Sequence, residues 1–138
     1  MGHPPPPPWH TLPHAPAVGT LLGQSDALAD GQVLMLQVYD AADPAQQRPF
    51  GVLLLRSGAD IKAYVNRCAH FGVPLASRQD LLQFTPHTSL TCNVHYARFR
   101  WSDGVCDRGD CEGEGLVPIP LQVDADGAIR IAAAEPME

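Results

Sequence analysis

The apolar positions of this chain fall in short runs separated by turn-forming residues. No segment shows the sustained 3.6-residue period of a long amphipathic helix, and we expect at most one helical turn, over Ala41–Gln47. The breaks carry turn sequences at Asp30-Gly31, Asp43-Pro44, Ser57-Gly58, Asp103-Gly104 and Asp126-Gly127. The pattern predicts an all-β domain of short antiparallel strands, at Gln32–Tyr39, Gly51–Arg56, Ile61–Val65, Leu81–Phe84, Ser89–Thr91, Arg98–Trp101, Leu121–Val123 and Ile129–Ile131.

The first 17 residues differ in composition from the rest of the chain. Seven of the 14 prolines lie in residues 4–16, and Pro4–Pro8 is an unbroken run that favours polyproline II. A docking peptide for an aromatic-lined groove is one interpretation, but a tail is the one we favour. We therefore expect a Pro-rich flexible tail over residues 1–17 and a folded domain over residues 18–134.

Composition excludes several classes of function. The chain has 138 residues, 45% hydrophobic residues, a formal net charge of -6 and a single lysine, Lys62. That is enough apolar material for one domain, and too little clustered positive charge for a nucleic-acid binder. No apolar stretch is long enough to span a bilayer, and the start does not read as a secretory signal. We expect a soluble cytoplasmic protein with no membrane or nucleic-acid partner.

Two short motifs carry the candidate chemistry. Cys68 and His70 form a C-x-H pair, and Cys92 and His95 form a C-x-x-H pair. Each pair follows a predicted strand, so each lies on a loop that a rigid scaffold positions. The twenty-one residues between His70 and Cys92 are enough for a hairpin that brings the two loops together. Two thiolates and two imidazoles make a set that can hold a metal.

The residues alone leave three interpretations open. A structural zinc site uses Cys and His, although classical fingers pair C-x2–4-C with H-x3–5-H. Buried thiols and core histidines without a metal are the usual fate of a lone Cys or His, but two matched pairs are hard to assign to chance. The third interpretation is a Rieske 2Fe–2S centre, in which two thiolates hold one iron and two imidazoles hold the other.

A family resemblance favours the third interpretation. The segments NRCAHFGVPL (66–75) and CNVHYARFRWSDGVC (92–106) resemble the two cluster loops of Rieske-type ferredoxins and Rieske oxygenase domains. The resemblance extends from about Asn66 to Pro120 and implies the Rieske fold, with antiparallel sheets and a cluster-binding subdomain at about 66–120 on a larger β base. It further implies that Cys68 and Cys92 hold one iron while His70 and His95, nearest the solvent, hold the other.

The chain departs from part of the family. Rieske proteins of the respiratory cytochrome complexes carry an extra cysteine in each loop, and the matching positions here are Val73 and Val94. Those proteins also place Ser and Tyr hydroxyls where this chain has Ala97 and Phe99. Hydrogen bonds to sulfur stabilise the reduced cluster, so their loss lowers the potential. We expect a value near the lower end of the Rieske range, roughly -150 mV.

Several residues near the motifs have secondary expectations. We expect apolar neighbours to exclude water from the cluster: Phe71, Val73, Pro74, Leu75, Pro118 and Ile119. Cys106 and Cys111 are expected to be simple thiols, with a local disulfide, redox sensing or a second metal left open. The acidic stretch Asp103–Glu114 either steers a basic partner or is a solvated loop. His87 is expected to be a turn residue.

These features predict a carrier that is not an enzyme by itself. The resemblance implies a Rieske-type ferredoxin that passes one electron from a flavin-dependent NAD(P)H reductase to a terminal oxygenase. The chain has no G-x-G-x-x-G nucleotide fingerprint of its own. The alternatives are a fixed electron-transfer subunit of a larger oxidoreductase complex and a non-redox zinc-binding Cys2His2 module.

Overall fold

Apart from three short 3₁₀ turns, the regular secondary structure of the described residues is all β. The structure, a computed structural model, describes residues 9–12, 15–39, 49–67, 75–76, 78–92, 97–109 and 114–132. Within these ranges there are 3₁₀ turns at Trp9–Thr11, Ser25–Ala27 and Gln79–Leu81. The strands are β1 (Leu21–Gln24), β2 (Val33–Val38), β3 (Phe50–Ser57), β4 (Asp60–Val65), β5 (Gln83–Thr85), β6 (Ser89–Thr91), β7 (Arg98–Arg100), β8 (Cys106–Arg108), β9 (Pro118–Ile119), β10 (Leu121–Val123) and β11 (Ala128–Ile131). The all-β prediction is confirmed.

The strands form three antiparallel sheets. The end sheet has the order β1-β11-β10, the central sheet β2-β3-β4-β9, and the site sheet β5-β6-β7-β8. None of the helices in the described part of the chain is long and apolar enough to cross a lipid bilayer.

The central sheet lies between two apolar cores. Leu53 and Leu55 of β3 belong to a core shared with the site sheet, whereas Val52 and Leu54 belong to a core shared with the end sheet. Successive side chains of a strand point to opposite faces, so β3 is buried on both faces. This explains why its sequence is a continuous apolar run and does not alternate.

We name the two cores by their positions. The site-side core contains the buried residues Val33, Leu53, Leu55, Tyr64, Leu75, Ala76, Leu82, Leu90, Cys92, Ala97, Phe99, Trp101, Cys106 and Leu116. The far-side core contains Trp9, Leu22, Leu28, Val38, Phe50, Val52, Leu54, Ala63, Val65, Val117, Ile119, Ile129 and Ile131. The site-side core joins the site sheet to the central sheet, so it fixes the position of β6, which precedes the second motif, relative to β4, which precedes the first.

Part of the segment expected to be a flexible tail packs on the domain. Trp9 is 3% exposed and belongs to the far-side core, with Leu12 and Ala15 packed against that core. An apolar indole gains free energy by leaving water, which fixes this part of the segment to the base. The expected boundary after residue 17 therefore does not describe residues 9–12 and 15–17, and Pro4–Pro8 lies outside the described residues.

The predicted hairpin turns fall where expected in three cases. Ser57-Gly58 joins β3 to β4, Asp103-Gly104 joins β7 to β8, and Asp126-Gly127 joins β10 to β11. Asp30-Gly31 does not form a hairpin, because β1 pairs with β11 and not with β2. The expected turn at Asp43-Pro44 and the helical turn over 41–47 lie outside the described residues.

The predicted strands Gln32–Tyr39, Gly51–Arg56 and Ile61–Val65 match β2, β3 and β4 to within one residue at each end. The segment Leu81–Phe84 is different, since its first residue ends a 3₁₀ turn before β5 begins. The pattern missed three short strands, β1, β8 and β9, of four, three and two residues.

Candidate metal centre

The two motifs lie on two loops whose ends the structure describes. The first loop follows β4 and returns to the described chain at Leu75. The second leaves β6 at Cys92 and returns at Ala97. Among the predicted ligands Cys92 is described, and Cys68, His70 and His95 lie outside the described residues. No group of three or more His, Cys, Asp or Glu side chains placed to hold a metal occurs within the described ranges.

Cys92 is completely buried at the base of the second loop. Its side chain belongs to the site-side core, and its backbone N–H donates a hydrogen bond to the carbonyl of Ala97 at 2.8 Å. That bond joins the two described residues that flank residues 93–96, which include His95. The Cys92 side chain is therefore held inside apolar surroundings.

The first loop rises from a firmly paired strand end. The Val65 N–H donates to the Val117 carbonyl at 2.8 Å, and the Asn66 N–H donates to the Gly51 carbonyl at 2.9 Å. At the other end of the loop, the Leu75 N–H donates to Asn66 Oδ1 at 2.8 Å. The end of β4 is thus bonded on both sides, and the loop is closed by a side chain.

The return end of the first loop and both ends of the second meet in one core. Leu75 and Ala76 from the first loop, and Cys92 and Ala97 from the second, all belong to the site-side core. A set of two thiolates and two imidazoles fits a mixed-ligand 2Fe–2S cluster.

The immediate surroundings of Cys92 contain no hydroxyl at the two expected positions. Ala97 is 1% exposed and Phe99 is fully buried, and both pack in the same core as Cys92. The apolar character of these two positions agrees with the expectation of few hydrogen bonds to sulfur. Leu75 is also fully buried there, and its expected part in excluding water from the cluster stays a prediction.

The expectation that Pro118 and Ile119 exclude water from the cluster stays a prediction. They form β9, which pairs with Tyr64 and Ala63 of the central sheet, and Ile119 belongs to the far-side core. Pairing with β4 places this stretch in the central sheet. Leu116, 1% exposed, is the residue of the same segment that packs in the site-side core.

Tyr64 fastens the site sheet to the central sheet. Its hydroxyl, on β4, donates to the Trp101 carbonyl at 2.9 Å in a buried position. Burial, and to a smaller extent the negative charge of Asp103, raises the pKa of Tyr64 to about 12. The β7–β8 turn passes so close that a Cβ at Gly104 would lie 2.7 Å from Tyr64 Cε1.

The acidic stretch is partly neutralised by arginines of β7. Arg100 donates two hydrogen bonds to Asp103, at 2.6 and 3.1 Å, and Arg98 donates one to Asp107 at 2.8 Å. These hydrogen bonds are the main reason that the pKa of each aspartate lies below its usual value. Two carboxylates of the stretch thus have adjacent counter-charges, which weakens their effect on a distant basic partner.

Two further candidates take structural positions. Cys106 is a buried thiol of the site-side core whose Sγ donates to the Arg108 carbonyl at 3.2 Å. Cys111 lies outside the described residues. His87 is confirmed as a residue of the β5–β6 turn, at the end of β6 opposite Cys92, and its Nδ1 lies 2.8 Å from Ser57 Oγ.

The comparison with protein families decides between the interpretations of the motifs. The family model of the Rieske [2Fe-2S] domain matches residues 20–123, which include both motifs. This chain belongs to the Rieske [2Fe-2S] domain family. The Rieske assignment replaces the zinc and metal-free interpretations, because the cofactor of the family is a 2Fe–2S cluster with mixed Cys and His ligation. A search of curated protein sequences finds no match.

Solved structures show the same Rieske fold. The ferredoxin of carbazole 1,9a-dioxygenase from Nocardioides aromaticivorans IC177 is 20% identical, with a TM-score of 0.63 over 86% of this chain and 100% of that one. A reduced complex between oxygenase and ferredoxin in carbazole 1,9a-dioxygenase matches at 21% identity and a TM-score of 0.66, over 88% of this chain and 30% of the matched one. The terminal oxygenase of carbazole 1,9a-dioxygenase from Novosphingobium sp. KA1 matches at 19% and 0.65, over 89% of this chain and 32% of that one. This chain therefore spans the whole of one relative and about a third of the others.

Two residues at this site escaped the sequence reasoning. Asn66 stands two residues before Cys68, where a polar side chain at the end of an apolar strand was a usable signal. Tyr64 gave no signal, because its partner Trp101 is 37 residues away and its own strand reads as ordinary core.

Proposed function

We propose that this Rieske domain is a ferredoxin that carries one electron from a flavin-dependent NAD(P)H reductase to a terminal oxygenase in the cytoplasm, and that it catalyses no reaction alone. In this proposal Cys68 and Cys92 bind one iron, and His70 and His95 bind the other. A 2Fe–2S cluster bound in this way supplies a one-electron redox change.

One observation carries the ligand assignment. The two Cys/His motifs lie within the family match, and the return end of the first loop shares one buried core with both ends of the second. No other pair of Cys/His motifs occurs in the sequence. The two loops therefore offer the one set of thiolates and imidazoles that suits the family's cofactor.

The partner assignment has a separate basis. The match that spans its relative completely is to a ferredoxin, and other matched structures contain an oxygenase together with a ferredoxin. These likenesses support an oxygenase as electron acceptor. The reductase rests on the resemblance of the motif loops to those of Rieske-type ferredoxins.

The described residues supply a rigid and apolar setting for such a carrier. Cys92 and Phe99 keep the sulfur side of the centre dry, and Tyr64 holds the site sheet against the central sheet. Rigid surroundings change little when the charge of a bound group changes, which keeps the reorganisation accompanying electron transfer small. The side of the centre that carries the histidines is the exit for the electron in this proposal.

The ligand assignment is tested by replacing ligands and matched non-ligands. Cys92→Ser is expected to abolish cluster binding, and His95→Cys to retain or weaken the cluster while lowering its potential, because an added thiolate disfavours the extra electron. Cys106→Ser and His87→Asn are the controls, since both replace a residue of ligand type outside the motifs, and Asn tolerates the φ of 65° found at position 87. Iron, acid-labile sulfide and the electron paramagnetic resonance (EPR) spectrum of the reduced protein are measured. Loss of the cluster in a control, or its retention in Cys92→Ser, contradicts the assignment.

The carrier role is tested by single-turnover kinetics. The oxidised protein is mixed with NADH and a flavin reductase, and the reduced protein with an oxidised Rieske oxygenase, while visible absorption follows each electron. We expect one electron per chain in each direction and no turnover of NADH by this protein alone. A protein that neither accepts an electron from any reductase tested nor reduces the oxygenase is not a carrier of this kind.

A fixed subunit of a larger oxidoreductase is the second candidate. The matches to chains about three times longer show that the same fold also occurs as part of larger proteins. Size-exclusion chromatography with the partners separates the two possibilities, because a shuttle dissociates between transfers, whereas a fixed subunit co-elutes in both redox states.

A further inference from the structure

The first loop is closed by the side chain of one residue. Asn66 Oδ1 accepts a hydrogen bond from the backbone N–H of Leu75 at 2.8 Å. These two residues stand on either side of residues 67–74, which include Cys68 and His70. A single amide oxygen therefore joins the two ends of the loop that carries half of the motif residues.

Asn66 is itself fixed to the central sheet. Its N–H donates to the Gly51 carbonyl at 2.9 Å, and the preceding Val65 N–H donates to the Val117 carbonyl at 2.8 Å. A Cβ at Gly51 would lie 3.2 Å from Asn66 Cβ, so the backbone of β3 passes directly beside this residue. The side-chain oxygen thus extends from a point that two neighbouring segments hold in place.

The other end of the contact lies in the core. Leu75 is fully buried in the site-side core, next in sequence to the buried Ala76. A backbone N–H shielded from water costs free energy when it has no acceptor. Asparagine side chains commonly satisfy nearby backbone groups in loops. Asn66 therefore both satisfies this donor and fixes the point at which the loop enters the core.

We propose that Asn66 is a positioning residue for the Rieske centre. By fixing the ends of the loop relative to each other, it sets where Cys68 and His70 stand with respect to Cys92. It acts through the Leu75 amide. This inference rests on the proposed ligand assignment and adds a residue that determines how firmly the ligands are held.

Three variants test it. Asn66→Ala removes the acceptor, and Asn66→Asp keeps an oxygen at the same reach. Gln79→Ala is the control, because Gln79 also binds the base through its side-chain amide, accepting from the Met35 N–H at 2.6 Å and donating to the Val33 carbonyl at 2.9 Å. That variant removes two hydrogen bonds just beyond the loop and leaves the contact within the loop intact.

The readouts are cluster retention, the EPR spectrum of the reduced protein and hydrogen exchange of the Leu75 amide. We expect Asn66→Ala to lose its iron to a chelator about 10- to 100-fold faster than the unmodified protein, the range typical for partners that hold a metal ligand from outside. The EPR signal of its reduced cluster should broaden. The Leu75 amide should lose protection from hydrogen exchange, both with and without the cluster bound. Asn66→Asp should restore all three, and Gln79→Ala should lower stability without accelerating iron loss.

The outcomes separate this inference from the proposed function. An unmodified protein without a 2Fe–2S cluster overturns the ligand assignment. A normal cluster in the unmodified protein together with unchanged iron loss in Asn66→Ala overturns the positioning role alone, as does equal acceleration by Gln79→Ala. Should Asn66→Ala fail to fold, the Leu75 amide of the unmodified protein decides, because exchange as fast as that of an exposed amide contradicts the contact.

Discussion

The hydroxyl of Tyr64 offers a direct test of how the site sheet is joined to the base. Tyr64→Phe removes the hydrogen bond to the Trp101 carbonyl and keeps the ring. A buried carbonyl left without a donor costs about 1–3 kcal/mol. For a domain of this size that corresponds to a fall in melting temperature of the order of 5–10 °C. Urea unfolding followed by tryptophan fluorescence measures the change, since Trp101 reports on the site sheet.

The pH dependence gives an independent measure of the burial of the Tyr64 hydroxyl, because burial, and to a smaller extent the charge of Asp103, raises its pKa. The pKa of Tyr64 is about 12 in the folded protein and near 10 when unfolded, so the folded state holds this proton more tightly. The resulting stability is fully present below pH 10 and is lost as the pH rises towards 12. Since a factor of ten in acidity corresponds to about 1.4 kcal/mol, about 2–3 kcal/mol is lost across this window. The Tyr64→Phe variant should lack this part of the alkaline decline.

Tyr39→Phe is the matched control, because Tyr39 is 50% exposed. It should change the unfolding free energy by no more than about 0.5 kcal/mol. Equal stability losses in the two variants, or an alkaline decline that persists unchanged in Tyr64→Phe, would show that this buried hydroxyl does not join the two sheets.

Two further predictions concern the same part of the molecule. Gly104→Ala should destabilise the fold by about 2 kcal/mol or more, because its Cβ would lie 2.7 Å from the Tyr64 ring. Gly58→Ala is the control, since Gly58 has a similar positive φ but open space around it, and it should cost only about 1 kcal/mol. Urea unfolding measures both changes. Ala97→Ser should raise the midpoint potential by about 40–60 mV, since one hydrogen bond to sulfur favours the reduced state by about 1–1.4 kcal/mol and 59 mV corresponds to a factor of ten for one electron. Redox titration measures this shift, and an unchanged or lower potential contradicts the account of position 97.

The sequence predicted the parts of this fold that depend on local pattern. The strands of the central sheet were visible because both faces of β3 are buried, which leaves a continuous apolar run. Turns such as Ser57-Gly58 were visible because the backbone there takes a positive φ that glycine adopts readily. The two-residue strand β9 was not visible, because Pro118–Ile119 becomes a strand only through pairing with β4.

At the candidate metal centre too, local sequence patterns predicted some residues, and others depend on the tertiary fold. The ligand types and their spacing identified the two motif loops, since few other arrangements of Cys and His occur in the chain. The residues that hold those loops could not be identified in the same way. Asn66 contacts Leu75 only because the loop folds back, and Trp9 joins the core although it follows a run of prolines. Such contacts depend on the tertiary fold, which local patterns do not specify.

We propose that this chain binds its Rieske 2Fe–2S cluster through Cys68, His70, Cys92 and His95. The most direct measurement is metal and acid-labile sulfide analysis combined with pulsed EPR of the reduced protein labelled with ¹⁵N-histidine. We predict two irons and two sulfides per chain, one electron on reduction, and magnetic coupling to two imidazole nitrogens. One zinc per chain without sulfide, or a reduced cluster that shows no coupling to histidine nitrogen, would contradict it.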